Sequence, residues 1–251
     1  MMRVFRQSIL LALLPVLLLS VSAAGMSDAR RQQLKSLAME TRRKSEAERD
    51  VIRRARMDLN AAYADYRLDE GKVKVALDRI WPAQKRLLEV HLDNQVQLRQ
   101  IMNEQQFQRF SEMTRRTKSG HHEFPGSEDG MWDRWPDKEM LASLGLSENQ
   151  IRQIRRPEWR RDGTIGKLRR DSEKILELYS SYNPDVAAAR KLIDSIHQAQ
   201  IDHSEQHHKR QQSLRSILTQ EQWQRLQGML DERSRSLRQR RAQPDGKRRH
   251  P

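Results

Sequence analysis

The sequence of 251 residues contains no cysteine. Disulfide bonds, thiolate metal sites, cysteine nucleophiles and lipoprotein acylation are therefore excluded. Glycine and proline are also few, at 10 and 8 residues, so long stretches run without helix breakers. Hydrophobic residues make up only 36% of the chain, and the mean hydropathy is −0.94. Compact domains usually have a larger apolar fraction, so we expect extended helices with narrow apolar seams and not a thick core.

The long stretches without breakers are dominated by Gln, Arg, Leu, Glu and Ala, which favour helices. Segments rich in Val, Ile, Thr and Tyr, which favour strands, are absent. Charged residues make up 33% of the chain, and the formal net charge is +14. The sequence therefore predicts a basic, all-α protein.

The first 24 residues have the order of a secretory signal peptide. Arg3 and Arg6 precede an apolar run over residues 9–19, and small residues follow at 22–24. The run is short for a bilayer span of about 20 residues, which favours cleavage over an uncleaved anchor, the alternative. We predict that the protein is exported and that residues 1–24 are removed.

Two segments of the chain repeat one another. Residues 53–113 align without a gap onto residues 169–229, at an offset of 116. Shared helical composition would not keep this register, and repeated units usually bury one another's apolar faces. The identical pairs include Tyr63/Tyr179, Tyr66/Tyr182, His91/His207, Gln95/Gln211, Arg99/Arg215 and Gln106/Gln222.

The repeat predicts how the rest of the chain is organised. A signal peptide at 1–24 precedes a first helical repeat at 25–116 and a second at 139–232. The linker at 117–138 is rich in glycine and proline, and the Arg-rich residues 233–251 are predicted to be a disordered tail. Each repeat is predicted to hold a first helix, a long helix, a turn near the Tyr-x-x-Tyr pair, another long helix and a short last helix.

Local signals predict where several helices begin. Residues 147–150 and 219–222 have the pattern of a capping box, and residues 103–106 are a weaker analogue. Pro82 lies inside a predicted helix where the second repeat has Gln198. An interior proline kinks a helix, so we expect that the two repeats do not superimpose perfectly.

The last long helix of the second repeat has a seam that is apolar at its ends and polar in the middle. His203 and His207 are four residues apart, so they lie on one helix face at a spacing that suits one Zn, Ni, Co or Cu ion. The alternative is a polar layer that sets helix register. Leu87 takes the place of His203 in the first repeat. The seam comprises Ile193, Ile196, Gln200, His203, His207, Arg210, Leu214 and Ile217.

The chain carries basic clusters and no recognisable catalytic motif. Nucleophile motifs, glycine-rich phosphate loops and the His-Glu-x-x-His pattern are missing, so we predict that the protein is not an enzyme. Basic clusters occur at residues 42–44 and 53–56. Export argues against a nucleic-acid partner, so the clusters predict an anionic membrane surface or acidic proteins as partners. Solvated helix faces are the alternative.

The sequences Leu146-Ser147-Glu148-Asn149-Gln150 and Leu218-Thr219-Gln220-Glu221-Gln222 resemble the Leu-Thr-x-x-Gln signature of the Spy/CpxP family of periplasmic proteins. Residues 140–232 follow the family order of signature, long helix, turn, long helix and signature. The first repeat has a degenerate second signature at residues 102–106 and, at residues 26–28, only a fragment of a first one. The resemblance implies bent four-helix hairpins that pair into antiparallel dimers with a concave surface.

The resemblance also implies a function. Members of the family act as ATP-independent chaperones, as inhibitors of envelope stress sensor kinases or as metal sensors. We therefore expect a periplasmic envelope-stress protein that needs no cofactor and binds client proteins or a stress sensor. The alternatives are a heavy-metal sensor or resistance protein that uses His203 and His207, and a structural envelope coiled coil. Two tandem copies imply a pseudo-dimer within one chain and leave open whether a homodimer also forms.

Overall fold

The computed structural model describes residues 26–117, 136, 138–154 and 163–242. In these residues all regular structure is α-helical, so the prediction of an all-α protein is confirmed. The first repeat contains α1 (Asp28–Ala64), α2 (Glu70–Ile101) and α3 (Glu104–Thr117). The second repeat contains α4 (Lys138–Ser143), α5 (Glu148–Ile154), α6 (Thr164–Ser180), α7 (Val186–Ile217) and α8 (Gln220–Ala242).

Three of the predicted segments lie wholly or partly outside the described residues. They are the signal peptide at 1–24, most of the linker at 117–138 and the end of the tail at 243–251. Within the described part of the chain, no helix combines the length and the apolar character that crossing a membrane requires.

The helix boundaries follow the sequence repeat. Both α2 and α7 contain 32 residues, and each boundary of α7 lies 116 positions after that of α2. The same offset relates the last residues of α1 and α6 and the first residues of α3 and α8. Asp69 caps α2 and Asp185 caps α7 in the same way, because each carboxylate accepts from the backbone N–H three residues on, at 3.0 and 2.9 Å.

The predicted order of helices is wrong for the start of the first repeat. No separate first helix exists there, because α1 is one continuous helix of 37 residues. The matching stretch of the second repeat is interrupted at Gly145, whose φ of 63° is left-handed, and α6 begins only after Gly163. Residues 28–64 contain neither glycine nor proline, so nothing local ends α1 earlier.

The last helix also extends further than predicted. α8 continues to Ala242, although residues 233–251 were expected to form a disordered tail. Residues 233–242 are Arg, Ser, Leu, Gln and Ala without a glycine or proline, so helix propensity carries the helix past Leu230, a residue of the core. For residues 243–251 the predicted tail lies outside the described chain.

All three predicted capping boxes are confirmed, and each consists of two reciprocal hydrogen bonds. The N–H of Ser147 donates to Oε1 of Gln150 at 2.9 Å, and the N–H of Gln150 donates to the Ser147 hydroxyl at 3.3 Å. The corresponding distances are 3.0 and 3.2 Å for residues 219 and 222, and 3.1 and 2.9 Å for residues 103 and 106. α2 runs unbroken through Pro82, which is exposed.

The two repeats pack through their long helices. α2 packs on α1, α7 packs on α6, and α2 and α7 also contact each other. Lys85 and Asp194 form an ion pair of 2.8 Å, whereas Glu70 at the start of α2 meets His208 near the end of α7, so these two helices run in opposite directions. Leu88 of α2 belongs to the same apolar cluster as Ile193 of α7. The predicted seam of α7 is buried or half-buried at every position.

Candidate functional site

In each repeat, one arginine caps the C-terminal end of a helix that belongs to the other repeat. Arg215 of α7 donates to the carbonyl of Tyr63 at 2.7 Å and to that of Asp65 at 3.1 and 3.2 Å, at the C-terminal end of α1. The cation lies over the ring of Trp223, 3.9 Å from its centroid. A cation is stabilising at this end of a helix, where backbone carbonyls lack partners. We call this contact the Arg215 junction.

The same contacts recur 116 residues earlier. Arg99 of α2 donates to the carbonyl of Tyr179 at 2.7 Å and to that of Ser181 at 2.7 and 3.0 Å, at the end of α6. Its guanidinium lies 4.2 Å from the ring centroid of Phe107. We call this contact the Arg99 junction. Burial lowers the pKa of Arg99, and it lowers the pKa of Arg215 to about 10, so Arg215 remains a cation at neutral pH.

The tyrosines that both repeats carry at the same spacing also make contacts between the repeats. The Tyr66 hydroxyl donates to the carbonyl of Leu218 at 3.0 Å, and the Tyr182 hydroxyl donates to that of Met102 at 3.0 Å. Each tyrosine therefore helps to satisfy the carbonyls at the end of the long helix of the opposite repeat. The sequence pattern showed these residues as identical pairs and carried no signal of this role.

Histidines distinguish the Arg215 junction from the Arg99 junction. The hydroxyl of Tyr63 lies 3.2 Å from Nδ1 of His208, and Nε2 of His208 lies 2.8 Å from a carboxylate oxygen of Glu70. The ring of His207 packs 5.5 Å from that of Tyr63, and Nδ1 of His203 lies 3.4 Å from the Thr164 hydroxyl. At the Arg99 junction the positions of His203, His208 and Glu70 hold Leu87, Leu92 and Val186.

Burial determines the protonation of these groups. His203 and His207 expose only 8% and 6% of their surface. Burial, reinforced by electrostatic repulsion from His203 and Arg210, lowers the pKa of His207 to about 3, so its imidazole is neutral at physiological pH. Burial raises the pKa of Tyr63, so its phenol stays protonated. His207 and Tyr63 are therefore buried neutral groups, and Arg215 is the cation next to them.

The two predicted metal ligands lie together on the buried face of α7, as expected, but the structure adds no third ligand among the described residues. His203 and His207 share one buried face of α7, and a neutral imidazole is the form that binds metal. Among the residues with described positions, no three His, Asp or Glu side chains form a cluster suited to a metal ion. His121 and His122 lie outside the described residues. The metal site remains a prediction.

The two signatures of the second repeat meet in space. The amide of Gln150 donates to the side-chain oxygen of Gln222 at 2.8 Å and to the carbonyl of Ile217 at 2.8 Å. Each glutamine also closes its own capping box. In the first repeat Leu34 takes the position of Gln150 and packs in an apolar cluster with Phe107. Only the second repeat therefore joins two signatures by a polar contact.

Comparisons with known proteins found no relative from which a role for these contacts could be taken. The chain matches no protein-family model, no curated protein and no solved structure. The resemblance to the Spy/CpxP family therefore depends on the two signatures, their order and the helices between them.

Proposed function

We propose that the protein is a non-enzymatic periplasmic protein of Spy/CpxP type that binds other proteins as a chaperone-like or stress-signalling factor. The observation that carries this proposal is the contact between Gln150 and Gln222. The two signatures that bracket the hairpin in the sequence are thereby joined at one end of the second repeat. Both glutamines hold the last position of their signature, so the contact joins equivalent positions of the two motifs.

The two repeats take the place of two subunits in this proposal. Arg99 and Arg215 make equivalent contacts across the two repeats, as do Tyr66 and Tyr182. Such reciprocity is the property of an isologous dimer interface. Because the acceptors are backbone carbonyls, the contacts do not depend on the side chains that differ between the repeats. Because both repeats belong to one chain, they would pair as two subunits do, but at any protein concentration.

The outer face of α1 supports binding to other proteins. Met39 and Met57 expose 62% and 66% of their surface, next to the exposed basic residues at 42–44 and 53–54. Methionine side chains adapt to varied apolar partners, and the surrounding arginines attract acidic segments. This combination suits loose contacts with many unfolded chains more than one tight interface.

The test is suppression of aggregation by the purified mature protein without ATP, followed by light scattering of a chemically denatured client. We expect suppression at stoichiometric amounts. The double variant M39E/M57E should suppress less, whereas the control M39L/M57L, which keeps the apolar surface, should match the wild type. No suppression by the wild-type protein would count against the proposal.

The unequal junctions favour a second candidate function, a heavy-metal sensor or resistance protein. Histidines are concentrated on the side of only one of the two corresponding junctions, although Leu87 shows that leucine fits the position of His203. Calorimetric titration with Zn, Ni, Co and Cu would test it. Binding should be lost in H203L/H207A and kept in the control H91A, which changes the position equivalent to His207. Unchanged affinity in H203L/H207A would end this candidate.

A structural envelope coiled coil is the remaining alternative. It predicts neither suppression of aggregation nor binding of metal. The two assays above therefore separate the three functions.

A further inference from the structure

Two methionines of α1 differ from the other methionines of the described chain in their exposure. Met39 and Met57 are 62% and 66% exposed, whereas Met26 and Met102 are 5% and 4% exposed. The remaining described methionines, at positions 113, 140 and 229, are half-buried. The chain has no cysteine, so no thiol competes with these two thioethers for a small oxidant.

Met39 and Met57 also share one line on the helix surface. They are 18 residues apart, which is five turns of 3.6 residues, or about 27 Å along the axis. Exposed ion pairs lie between them, with Arg42 and Glu46 at 2.7 Å and Arg53 and Asp50 at 2.7 Å. Both thioethers therefore face water on a polar helix face and do not pack in the core.

The second repeat shows that the fold accepts a polar group at one of these positions. The residue equivalent to Met57 is Glu173, which is exposed and forms an ion pair with Arg169 at 3.0 Å. A sulfoxide oxygen at Met57 would likewise point into solvent. Oxidation of Met102, by contrast, would place a polar group in the apolar cluster that contains Leu98 and Phe107.

We propose that Met39 and Met57 are oxidation sites at which hydrogen peroxide forms methionine sulfoxide while the protein stays folded. The thioether sulfur attacks one peroxide oxygen and forms the S–O bond as the O–O bond breaks. The departing hydroxide takes the proton of the transferred oxygen and leaves as water. The sulfur is oxidised by two electrons and the peroxide is reduced. The inference depends on exposure alone and not on the proposed chaperone or metal function.

The experiment is peroxide treatment of the intact mature protein, with peptide mass mapping at successive times. We expect sulfoxide at positions 39 and 57 to form about 10-fold faster than at positions 26 and 102, as exposure governs susceptibility. In urea the four rates should become similar, which would show that the fold sets the difference. The melting temperature should not change while only positions 39 and 57 are oxidised.

The variant M39L/M57L provides the matched control. This variant should not gain the first two oxygen atoms that the wild-type protein gains. It should keep the wild-type melting temperature, because leucine preserves the size and apolar character of the side chain. Oxidation of Met102 as fast as that of Met39 in the folded protein would overturn the inference. A fall in melting temperature on oxidation of positions 39 and 57 alone would overturn it as well.

Discussion

Replacing Arg215 by alanine should destabilise the protein more than any substitution on its charged surface. The side chain is 8% exposed and donates to the carbonyls of Tyr63 and Asp65. It also donates to the carbonyl of Gln211 at 2.7 Å. Alanine removes all these donors and leaves the carbonyl of Tyr63, a buried residue, without its charged partner.

The magnitude follows from the number and kind of these bonds. A hydrogen bond to a charged group contributes about 1.5–3 kcal/mol, and a buried carbonyl without a donor costs about 1–3 kcal/mol. Stacking of the cation on Trp223 adds about 1 kcal/mol. Because water reaches part of the site after truncation, we expect a loss of about 3–5 kcal/mol from the free energy of unfolding.

Urea denaturation followed by far-UV circular dichroism measures this loss. Arg215→Lys should lose less than alanine, because lysine keeps the charge but lacks the planar fork that reaches two carbonyls. Arg99→Ala should lose as much as Arg215→Ala, since the Arg99 junction makes the same bonds. The control is Arg79→Ala, whose side chain is 58% exposed in an ion pair with Asp58, and about 0.5 kcal/mol is expected.

Two outcomes would refute this reasoning. A loss below about 1 kcal/mol for Arg215→Ala would mean that the arginine–carbonyl contacts do not hold the repeats together. A large loss for Arg215→Ala with none for Arg99→Ala would mean that the two junctions are not equivalent in energy, whatever their shared geometry.

Three further measurements test other parts of the structure. The pKa of His207 is lowered to about 3, so the unfolded chain binds a proton at this residue below about pH 6.5 and the folded chain does not. The free energy of unfolding should therefore be highest above about pH 6.5 and fall towards pH 3, by at most about 1.4 kcal/mol per pH unit from this group. The free energy of unfolding, measured by urea denaturation at successive pH values, should depend less on pH in His207→Gln. An unchanged pH dependence would contradict the assignment. Pro82→Gln, which installs the residue of the second repeat, should raise the free energy of unfolding by about 1–3 kcal/mol, and a lower melting temperature would argue against this. Gln150→Ala should lower it by about 1–2 kcal/mol by removing the bonds to Gln222 and Ile217; a thermal melt like that of the wild type would mean that these bonds contribute nothing.

Local chemistry explains the predictions that the structure confirms. Helix propensity and the capping boxes are properties of neighbouring residues, and they act before any tertiary contact forms. The offset of 116 places the same local signals in both repeats. The seam of α7 is of the same kind, because steps of three and four place its residues on one face whatever packs against it. The two errors in helix boundaries, at the start of α1 and the end of α8, arose where no breaker marks a boundary.

By itself, the sequence determined an all-α chain of two related repeats with a histidine pair on one helix face, since propensity, spacing and capping are local. Only the tertiary structure decided how the repeats meet. Arg215 reaches carbonyls about 150 positions away in the chain, and a backbone carbonyl has no sequence signature. Tertiary packing likewise joined His208 to Tyr63 and Glu70 and lowered the pKa of His207, because burial depends on what the rest of the chain places around a side chain.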